Sequence, residues 1–526
     1  LLLVEVCYCW MRSIDDNIGL YSRDHDLKGE EYQKMEYSPY DKAGINRDAK
    51  NASQAMQPHL HVIKFFASHF EGTLFQSDFL LKIFTKCALY GIKNLYKASL
   101  HPFARMIRHE LLLFATLVLN ASYKQGSKYM GRLSQEITNG ALSWFKRPVA
   151  WPFGSNELKI KADLSVTRDL FLQLNKLSSL MSRHCGKDYK ILNYFLASEI
   201  QQIQTWLTPT EKIEGADSNE LTSDIVEATF AKDPTLAINL LQRCYSKKAE
   251  DVLVGLVAKH ALMCVGSPSA LDLFIKGSHL GSKKDLHATL YWAPVSPLKS
   301  INLFLPEWQG NSFILQFSIY SLESQDVNLA FFYVPQIVQC LRYDKTGYVE
   351  RLILDTAKIS VLFSHQIIWN MLANCYKDDE GIQEDEIKPT LDRIRERMVS
   401  SFSQSHRDFY EREFEFFDEV TGISGKLKPY IKKSKAEKKH KIDEEMSKIE
   451  VKPDGVVIDI DRKGGKPLQS HAKAPFMATF KIKKDVKDPL TGKNKEVEKW
   501  QAAIFKVGDD CRQDVLALQL ISLFRT

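Results

Sequence analysis

The 526-residue sequence lacks a long hydrophobic run. Its longest predominantly apolar run, Leu111–Leu119, has nine residues, whereas a transmembrane helix needs about 20. It also lacks paired metal-binding cysteines, because its nine Cys are scattered and none shows C-x-x-C spacing. This pattern disfavours zinc sites and disulfides. It favours free, mostly buried thiols in a reducing cytosol.

A general excess of positive charge is missing as well. Lys and Arg total 71 and Asp and Glu total 65, which gives 71 − 65 = +6. Eight Lys and one Glu lie between Lys426 and Lys441, a local charge of +7, so the rest of the chain sums to about −1. A protein that covers nucleic acid with a broad basic surface is therefore excluded.

The Lys426–Lys441 segment has two interpretations, and the sequence leaves both open. It is either a basic surface attracted to the anionic lipids of the inner leaflet, or a solvated, flexible linker between a helical and a catalytic domain.

Amphipathic helical patterns dominate the chain up to about residue 380. One predicted helix, Ser223–Ala231, stops before Asp233-Pro234. There Asp suits an N-cap and Pro the first helical position, so the next helix is predicted at Thr235–Cys244. Helical hairpins recurring without a fixed period predict an irregular α-solenoid.

The pattern changes after residue 400. A helix is predicted at Phe409–Val420, with Gly422 as its C-cap, and a short one at Ile442–Ile449. Strands are then predicted at Val456–Asp461, Phe476–Ile482 and Gln501–Val507. The segment Asp488–Gly492 reads as a turn, and a helix follows from Asp510. This order is typical of the small lobe of a nucleotide-binding kinase.

Lys506 follows an apolar strand, and Asp514 comes one turn into the next helix. A Lys on a strand, held by an acidic residue on the following helix, positions nucleotide phosphates in kinases. The alternative is a strand-end Lys that reaches solvent beside a helix start. Upstream, the loop Pro467–Pro475 carries small residues and Ser470. It suits either phosphate binding or an ordinary polar hairpin.

Two segments together carry a family resemblance. FKVGDDCRQDVLALQ (Phe505–Gln519) and KPLQSHAKAPFMATFK (Lys466–Lys481) resemble signatures of the phosphoinositide 3-/4-kinase family. FFYVPQIVQCLRYDKTGYVERLIL (Phe331–Leu354) resembles its helical accessory domain. With EFEFFDEVTGISGKLKP (Glu413–Pro429), the chain is most similar to the type III phosphatidylinositol 4-kinases.

The resemblance implies a mainly α fold with four parts. These are an irregular α-solenoid at 1–180, an accessory helical domain at 185–395, a helix and Lys-rich linker at 396–450, and an α+β kinase small lobe at 451–526. Site residues carry over as follows. Lys506 would contact the ATP phosphates, Asp514 would orient Lys506, and Asp509 would line the nucleotide pocket. The loop at Gln469, Ser470 and His471 would cover the phosphates.

The reaction implied is transfer of the ATP γ-phosphate to the 4-hydroxyl of phosphatidylinositol, with Mg²⁺ as cofactor. The partners implied are the phosphatidylinositol membrane, a tetratricopeptide-repeat scaffold, a hyccin-like protein and a palmitoylated membrane anchor. The implied location is cytoplasmic and peripheral at the plasma membrane. The rival interpretations are a non-catalytic solenoid scaffold and a protein kinase of the related large-kinase group.

The sequence also departs from the family. No D-R-H-x-x-N or D-F-G occurs after Lys506, and only Pro453-Asp454-Gly455 precedes Val456 where members carry a longer segment. The letters HRD at His406–Asp408 come before Lys506, so they predict a solvated helix face and not a catalytic loop. Leu1 in place of Met and the abrupt end at Thr526 predict a fragment that is inactive alone.

Overall fold

The computed structural model describes residues 5–11, 59–70, 77–95, 104–146, 157–210, 221–279, 283–325, 327–375, 385–451, 457–468, 474–487, 494–506 and 511–525. The chain divides into two compact units, Leu1–Val295 and Ser296–Thr526. It is mainly helical with one small sheet, which confirms the predicted fold class. The four predicted domain boundaries stay predictions.

The first unit is built of helices wherever it is described. Residues 5–11 and 59–70 are helical. The helices that follow are α1 Asp78–Leu95, α2 Ala104–Lys124, α3 Met130–Trp144, α4 Glu157–Lys176, α5 Ser178–Cys185, α6 Lys187–Leu207, α7 Ser223–Lys232, α8 Pro234–Arg243, α9 Lys247–Lys259, α10 Ala261–Cys264 and α11 Leu271–His279.

The α7–α8 corner confirms the cap predicted from the sequence. The Asp233 carboxylate accepts hydrogen bonds from the backbone N–H groups of Thr235 (2.9 Å) and Leu236 (3.3 Å), and Pro234 opens α8. Because Pro has no N–H to satisfy, it suits this first position. The inner face of α8 is buried and includes Leu236 and Leu240.

The second unit continues with helices and ends in the sheet. Its helices are α12 Pro297–Asn302, α13 Ser312–Glu323, α14 Val327–Phe332, α15 Val334–Cys340, α16 Tyr348–Ile359, α17 Val361–Asn374, α18 Lys388–Ser400, α19 Gln404–Leu427, α20 Lys435–Ser447 and α21 Arg512–Arg525. Helices α12 to α18 enclose one apolar core, in which Phe363, Ile367 and Leu391 are fully buried.

The sheet has four antiparallel strands: β1 Val457–Ile460, β2 Lys466–Pro467, β3 Phe476–Lys487 and β4 Asn494–Phe505. Strand β3 pairs with all three others. Its pairing with β4 runs without a break from Phe476 opposite Phe505 to Lys487 opposite Asn494. The three predicted strands are therefore present, and β3 and β4 are longer than predicted. The predicted turn at Asp488–Gly492 lies outside the described residues.

Helices α19 and α20 pack on one face of this sheet. Val420 and Leu427 of α19, Ile442 and Met446 of α20 and Phe476 of β3 form a shared buried core. Gly465 lets the turn between β1 and β2 lie close to helix α20, because a Cβ at this position would collide with the Ile442 side chain of that helix. The sheet whose strand β4 leads directly to Lys506 thus rests on two helices.

Two local predictions were wrong. Helix α19 does not end at Gly422 but continues to Leu427, because Val420, Ile423 and Leu427 form a buried stripe that outweighs the helix cost of a glycine. The Lys-rich segment is not a flexible linker throughout, since α20 begins at Lys435, seven residues before the predicted start.

The HRD letters lie in α19, as predicted from their helical pattern, but His406 is not fully solvated. Its ring stacks on Phe402 with centroids 3.7 Å apart, and its Nε2 lies 3.1 Å from the Ser364 hydroxyl. The Arg407 guanidinium donates to the Ser400 carbonyl at 3.2 Å. This segment therefore joins α19 to α17 and the end of α18.

All nine cysteines are free thiols, as predicted. Cys7, Cys87, Cys264 and Cys340 are buried, whereas Cys9 is exposed. Burial raises the pKa of the Cys340 thiol to about 12 and that of Cys264 to about 11, which keeps both thiols protonated and unreactive.

No helix in the described part of the chain combines the length and apolar character required of a bilayer-spanning segment.

Candidate active site

Lys506 and Asp514 form the centre of the candidate site. Lys506 comes directly after β4, and Asp514 lies in the first turn of α21. The Lys506 Nζ lies 3.0 Å from the Asp514 Oδ1, so the predicted pair is present as an ion pair. Its side chains are 39% and 49% exposed. Exposed pairs of this kind stabilise a fold by at most about 1 kcal/mol, so stability alone gives little reason for the arrangement.

The strand fixes where the Lys506 ammonium can reach. Along β4, Ala503 and Phe505 pack on the core of the small sheet, while Ile504 and Lys506 lie on the exposed face. The Phe505 ring stacks on the buried ring of Phe476, with centroids 5.3 Å apart. Side chains alternate along a strand, so anchoring Phe505 inward directs Lys506 outward.

The predicted phosphate loop is described at its two ends. The Leu468 N–H donates to the Pro475 carbonyl at 2.9 Å and closes the loop between β2 and β3. The Ser424 hydroxyl of α19 donates to the Ala474 carbonyl at 3.1 Å. The loop therefore leads into β3, the strand that pairs with β4. Gln469, Ser470 and His471, and likewise Asp509, lie outside the described residues.

Helix α21 is held by a second set of contacts that sequence reasoning missed. The Gln519 amide donates to the Phe332 carbonyl at 2.7 Å, and the Gln519 and Gln336 amides lie within hydrogen-bond distance at 3.0 and 3.1 Å. Gln519 lies five positions after Asp514 on the same helix. The helix that carries Asp514 is thus tied to α14 and α15 by a pair of neutral amides.

A charged cluster lies near the start of α21. Arg342 and Asp385 form a bidentate pair with both N–O distances at 2.6 Å. These hydrogen bonds, with a smaller effect from the Arg512 charge, lower the pKa of Asp385 to about 2. Between these contacts and those of Gln519, a cavity of about 310 Å³ separates α21 from α12, α15 and α17. Gln336 and Gln519 lie in two of the segments that resemble the family, but no sequence argument assigned a role to either residue or predicted this cavity.

The described residues fit a nucleotide phosphate at one point, namely a solvent-accessible ammonium held by a carboxylate at the end of a strand. Within the described ranges, no group of three or more His, Cys, Asp or Glu side chains is placed to hold a metal ion.

Comparison with known proteins identifies the family. Residues 214–411 match the accessory domain (PIK domain) of the phosphoinositide 3-kinase family. Over its whole length the chain is 98% identical to phosphatidylinositol 4-kinase STT4 of Saccharomyces cerevisiae. The chain belongs to the phosphoinositide 3-/4-kinase family. Its relatives are named as phosphatidylinositol 4-kinases, so this is an enzyme family.

More distant members of the family extend the likeness. Phosphatidylinositol 4-kinase stt4 of Schizosaccharomyces pombe is 38% identical across 93% of the chain. Phosphatidylinositol 4-kinase alpha 1 of Arabidopsis thaliana is 26% identical across all of it. The chain spans 28% of the length of each of these three relatives.

Proposed function

We propose that this chain supplies the accessory helical domain and the ATP-contacting small lobe of a phosphatidylinositol 4-kinase. The enzyme transfers the ATP γ-phosphate to the 4-hydroxyl of phosphatidylinositol and makes phosphatidylinositol 4-phosphate. The Lys506–Asp514 ion pair carries this proposal, because it joins a strand and a helix at an exposed place where it adds little stability.

Lys506 positions the nucleotide in this proposal. An ammonium has three N–H donors, so Lys506 can contact a phosphate oxygen while Asp514 accepts one of them at 3.0 Å. Asp514 holds the long side chain in one orientation and so reduces the entropy lost when ATP arrives. The anchored Phe505 fixes the direction from which Lys506 approaches.

The other predicted site residues complete the nucleotide pocket. Asp509 lines its inner part, and Gln469, Ser470 and His471 cover the phosphates. Mg²⁺, when bound with ATP, would supply positive charge beside the transferred phosphoryl group. Its ligands are proposed to lie outside this chain.

The family resemblance supports further proposals about location and assembly. The enzyme works peripherally at the plasma membrane, on the cytoplasmic side, where its lipid substrate lies. Its partners are a tetratricopeptide-repeat scaffold, a hyccin-like protein and a palmitoylated membrane anchor. The helical unit Leu1–Val295 suits such protein partners.

A kinase assay tests the proposed function. The full-length protein, given ATP, Mg²⁺ and phosphatidylinositol vesicles, is expected to make phosphatidylinositol 4-phosphate, identified by chromatography against the 3- and 5-phosphate isomers. The 526-residue chain alone is expected to make none, because it has no D-R-H-x-x-N or D-F-G sequence after Lys506. No product from the full-length protein would favour a non-catalytic scaffold, and phosphorylated protein in place of lipid would favour a protein kinase.

Gln519 is expected to position Asp514 through helix α21. Gln519→Ala in the full-length enzyme removes hydrogen bonds that contribute about 0.5–1.5 kcal/mol each. We therefore expect the KM for ATP to rise about three- to tenfold, with a smaller change in kcat. Gln513→Ala, an exposed position on the same helix, is the matched control. Equal kinetics for both variants would show that the amide pair has no such role.

A further inference from the structure

The structure separates the lysines of the basic segment into two sets. Three of the eight form ion pairs with acidic residues of α20. Lys426 lies 2.6 Å from Glu445, Lys439 lies 2.7 Å from Asp443, and Lys441 lies 2.9 Å from Glu445. Hydrogen bonds from Lys426, Lys448 and Lys441 lower the pKa of the buried Glu445 carboxyl to about 2. All three lysines are neutralised locally, and Lys426 of α19 also ties that helix to Glu445 of α20.

The other five lysines have no such partner. Within the described residues, none of them has a carboxylate within 4.0 Å, and all but the half-buried Lys438 are exposed. The five, called the lysine patch below, are Lys428, Lys432, Lys433, Lys435 and Lys438. The nearby Glu437 is already engaged, because its carboxylate accepts from the Ser434 backbone N–H (2.9 Å) and hydroxyl (2.7 Å).

The lysine patch sits on ordered backbone. It spans the 3-10 turn Lys428–Tyr430 and the first turn of α20, which a reciprocal capping box at Ser434 and Glu437 fixes. Ile442 and Met446 anchor the same helix in the core. Five unneutralised positive charges are therefore displayed within eleven residues, with less ordering cost on binding than a disordered tail would have.

We propose that the lysine patch binds the anionic surface of a lipid bilayer. Ammonium groups on flexible stems need no fixed geometry, which suits the laterally averaged negative potential of such a surface. The segment 428–438 that carries the patch contains no Arg, and Tyr430 is its only aromatic residue, so it offers little platform for stacked bases. The rest of the chain sums to about −1, so the segment that contains this patch accounts for the net positive charge of the protein. The proposal rests on the proposed function, in that the lipid substrate lies in such a bilayer.

Vesicle co-sedimentation of the 526-residue chain tests the proposal. Wild type is expected to bind phosphatidylcholine vesicles that contain phosphatidylserine, to bind pure phosphatidylcholine weakly, and to lose affinity with salt. The variant Lys432→Glu, Lys433→Glu, Lys435→Glu and Lys438→Glu is expected to bind the anionic vesicles at least about tenfold more weakly. Replacing the same four residues by Arg is expected to preserve binding.

The design keeps the fold and the total charge under control. Ser434 and Glu437 remain, and an acidic residue in the first turn of a helix is favourable, so α20 is expected to stay folded by circular dichroism. A control variant changes four scattered exposed lysines to Glu, at Lys86, Lys190, Lys248 and Lys259, and has the same net charge. It is expected to bind like wild type.

Several results would overturn the proposal. These are unchanged vesicle binding by the patch variant, an equal loss in the scattered control, or binding of a single-stranded RNA oligonucleotide without binding of vesicles. The assay contains no ATP, and Lys506→Ala is expected to bind vesicles like wild type. Failure of the membrane proposal is therefore distinguishable from failure of the proposed kinase function.

Discussion

Lys506→Ala in the full-length protein is expected to reduce phosphatidylinositol 4-phosphate production by about 10²–10³-fold. The reason is that Lys506 would supply a preorganised positive charge to the ATP phosphates, and losing one such donor costs about that much in other enzymes. The fold is expected to survive, since the Lys506–Asp514 pair is exposed and contributes at most about 1 kcal/mol to stability. The measurements are kcat/KM on phosphatidylinositol vesicles and the melting temperature.

A matched control lies on the strand that leads to Lys506. Lys499 is exposed on β4, seven positions before Lys506, and Lys499→Ala is expected to leave kcat/KM unchanged. If Lys506→Ala kept wild-type activity, the assignment of Lys506 to the nucleotide phosphates would be wrong, whatever the effect of the control.

A double variant separates the role of Asp514 from that of Lys506. If Asp514 acts by orienting Lys506, then Asp514→Asn lowers activity alone but adds no further loss to Lys506→Ala. Additive losses would show that Asp514 has an independent role. The 3.0 Å contact supports the first outcome.

The Lys506–Asp514 pair was predictable because it is local. The two residues are eight positions apart, and a strand followed by a helix brings such positions together whatever the rest of the chain does. The Gln336–Gln519 pair was not predictable, because its residues are 183 positions apart and nothing in either segment indicates that two neutral amides meet. Tertiary packing alone brings α21 to α15.

The failed helix boundary has a related cause. At Gly422 the local signal was a glycine, whereas the structure is decided by burial of Ile423 and Leu427 beneath the sheet. A buried apolar side chain contributes about 1.5–3 kcal/mol, more than the roughly 1 kcal/mol that glycine costs a helix. The sequence shows the glycine directly, but not which residues the sheet will cover.

The same reasoning explains why the charge count alone left the basic segment ambiguous. A local sum of +7 cannot distinguish Lys426, which neutralises Glu445, from Lys432, which has no acidic partner among the described residues. The distinction depends on packing, because α19 places Lys426 beside Glu445 of α20, whereas Lys432 lies before α20 begins. Only the folded arrangement of α19 and α20 turns one charged run into a structural part and a candidate membrane surface.

Arg243→Ala is expected to destabilise the helical unit Leu1–Val295 by about 3–5 kcal/mol. Arg243 of α8 donates to the Glu199 carboxylate of α6, and their side chains are only 7% and 2% exposed. The guanidinium also lies over the rings of Phe145 and Phe195, 5.2 and 5.9 Å from their centroids. Removing it leaves a buried carboxylate without its main cation, which costs far more than a surface pair.

A second variant distinguishes loss of the ion pair from loss of packing. Glu199→Leu with Arg243→Met removes both charges and keeps most of the side-chain volume, so it is expected to recover most of the stability. The measurements are the midpoint of urea unfolding and hydrogen exchange of the α6 and α8 amides in the full chain. Equal destabilisation by both variants would mean that the packing of Arg243 on the two Phe rings, and not its charge, holds these helices together.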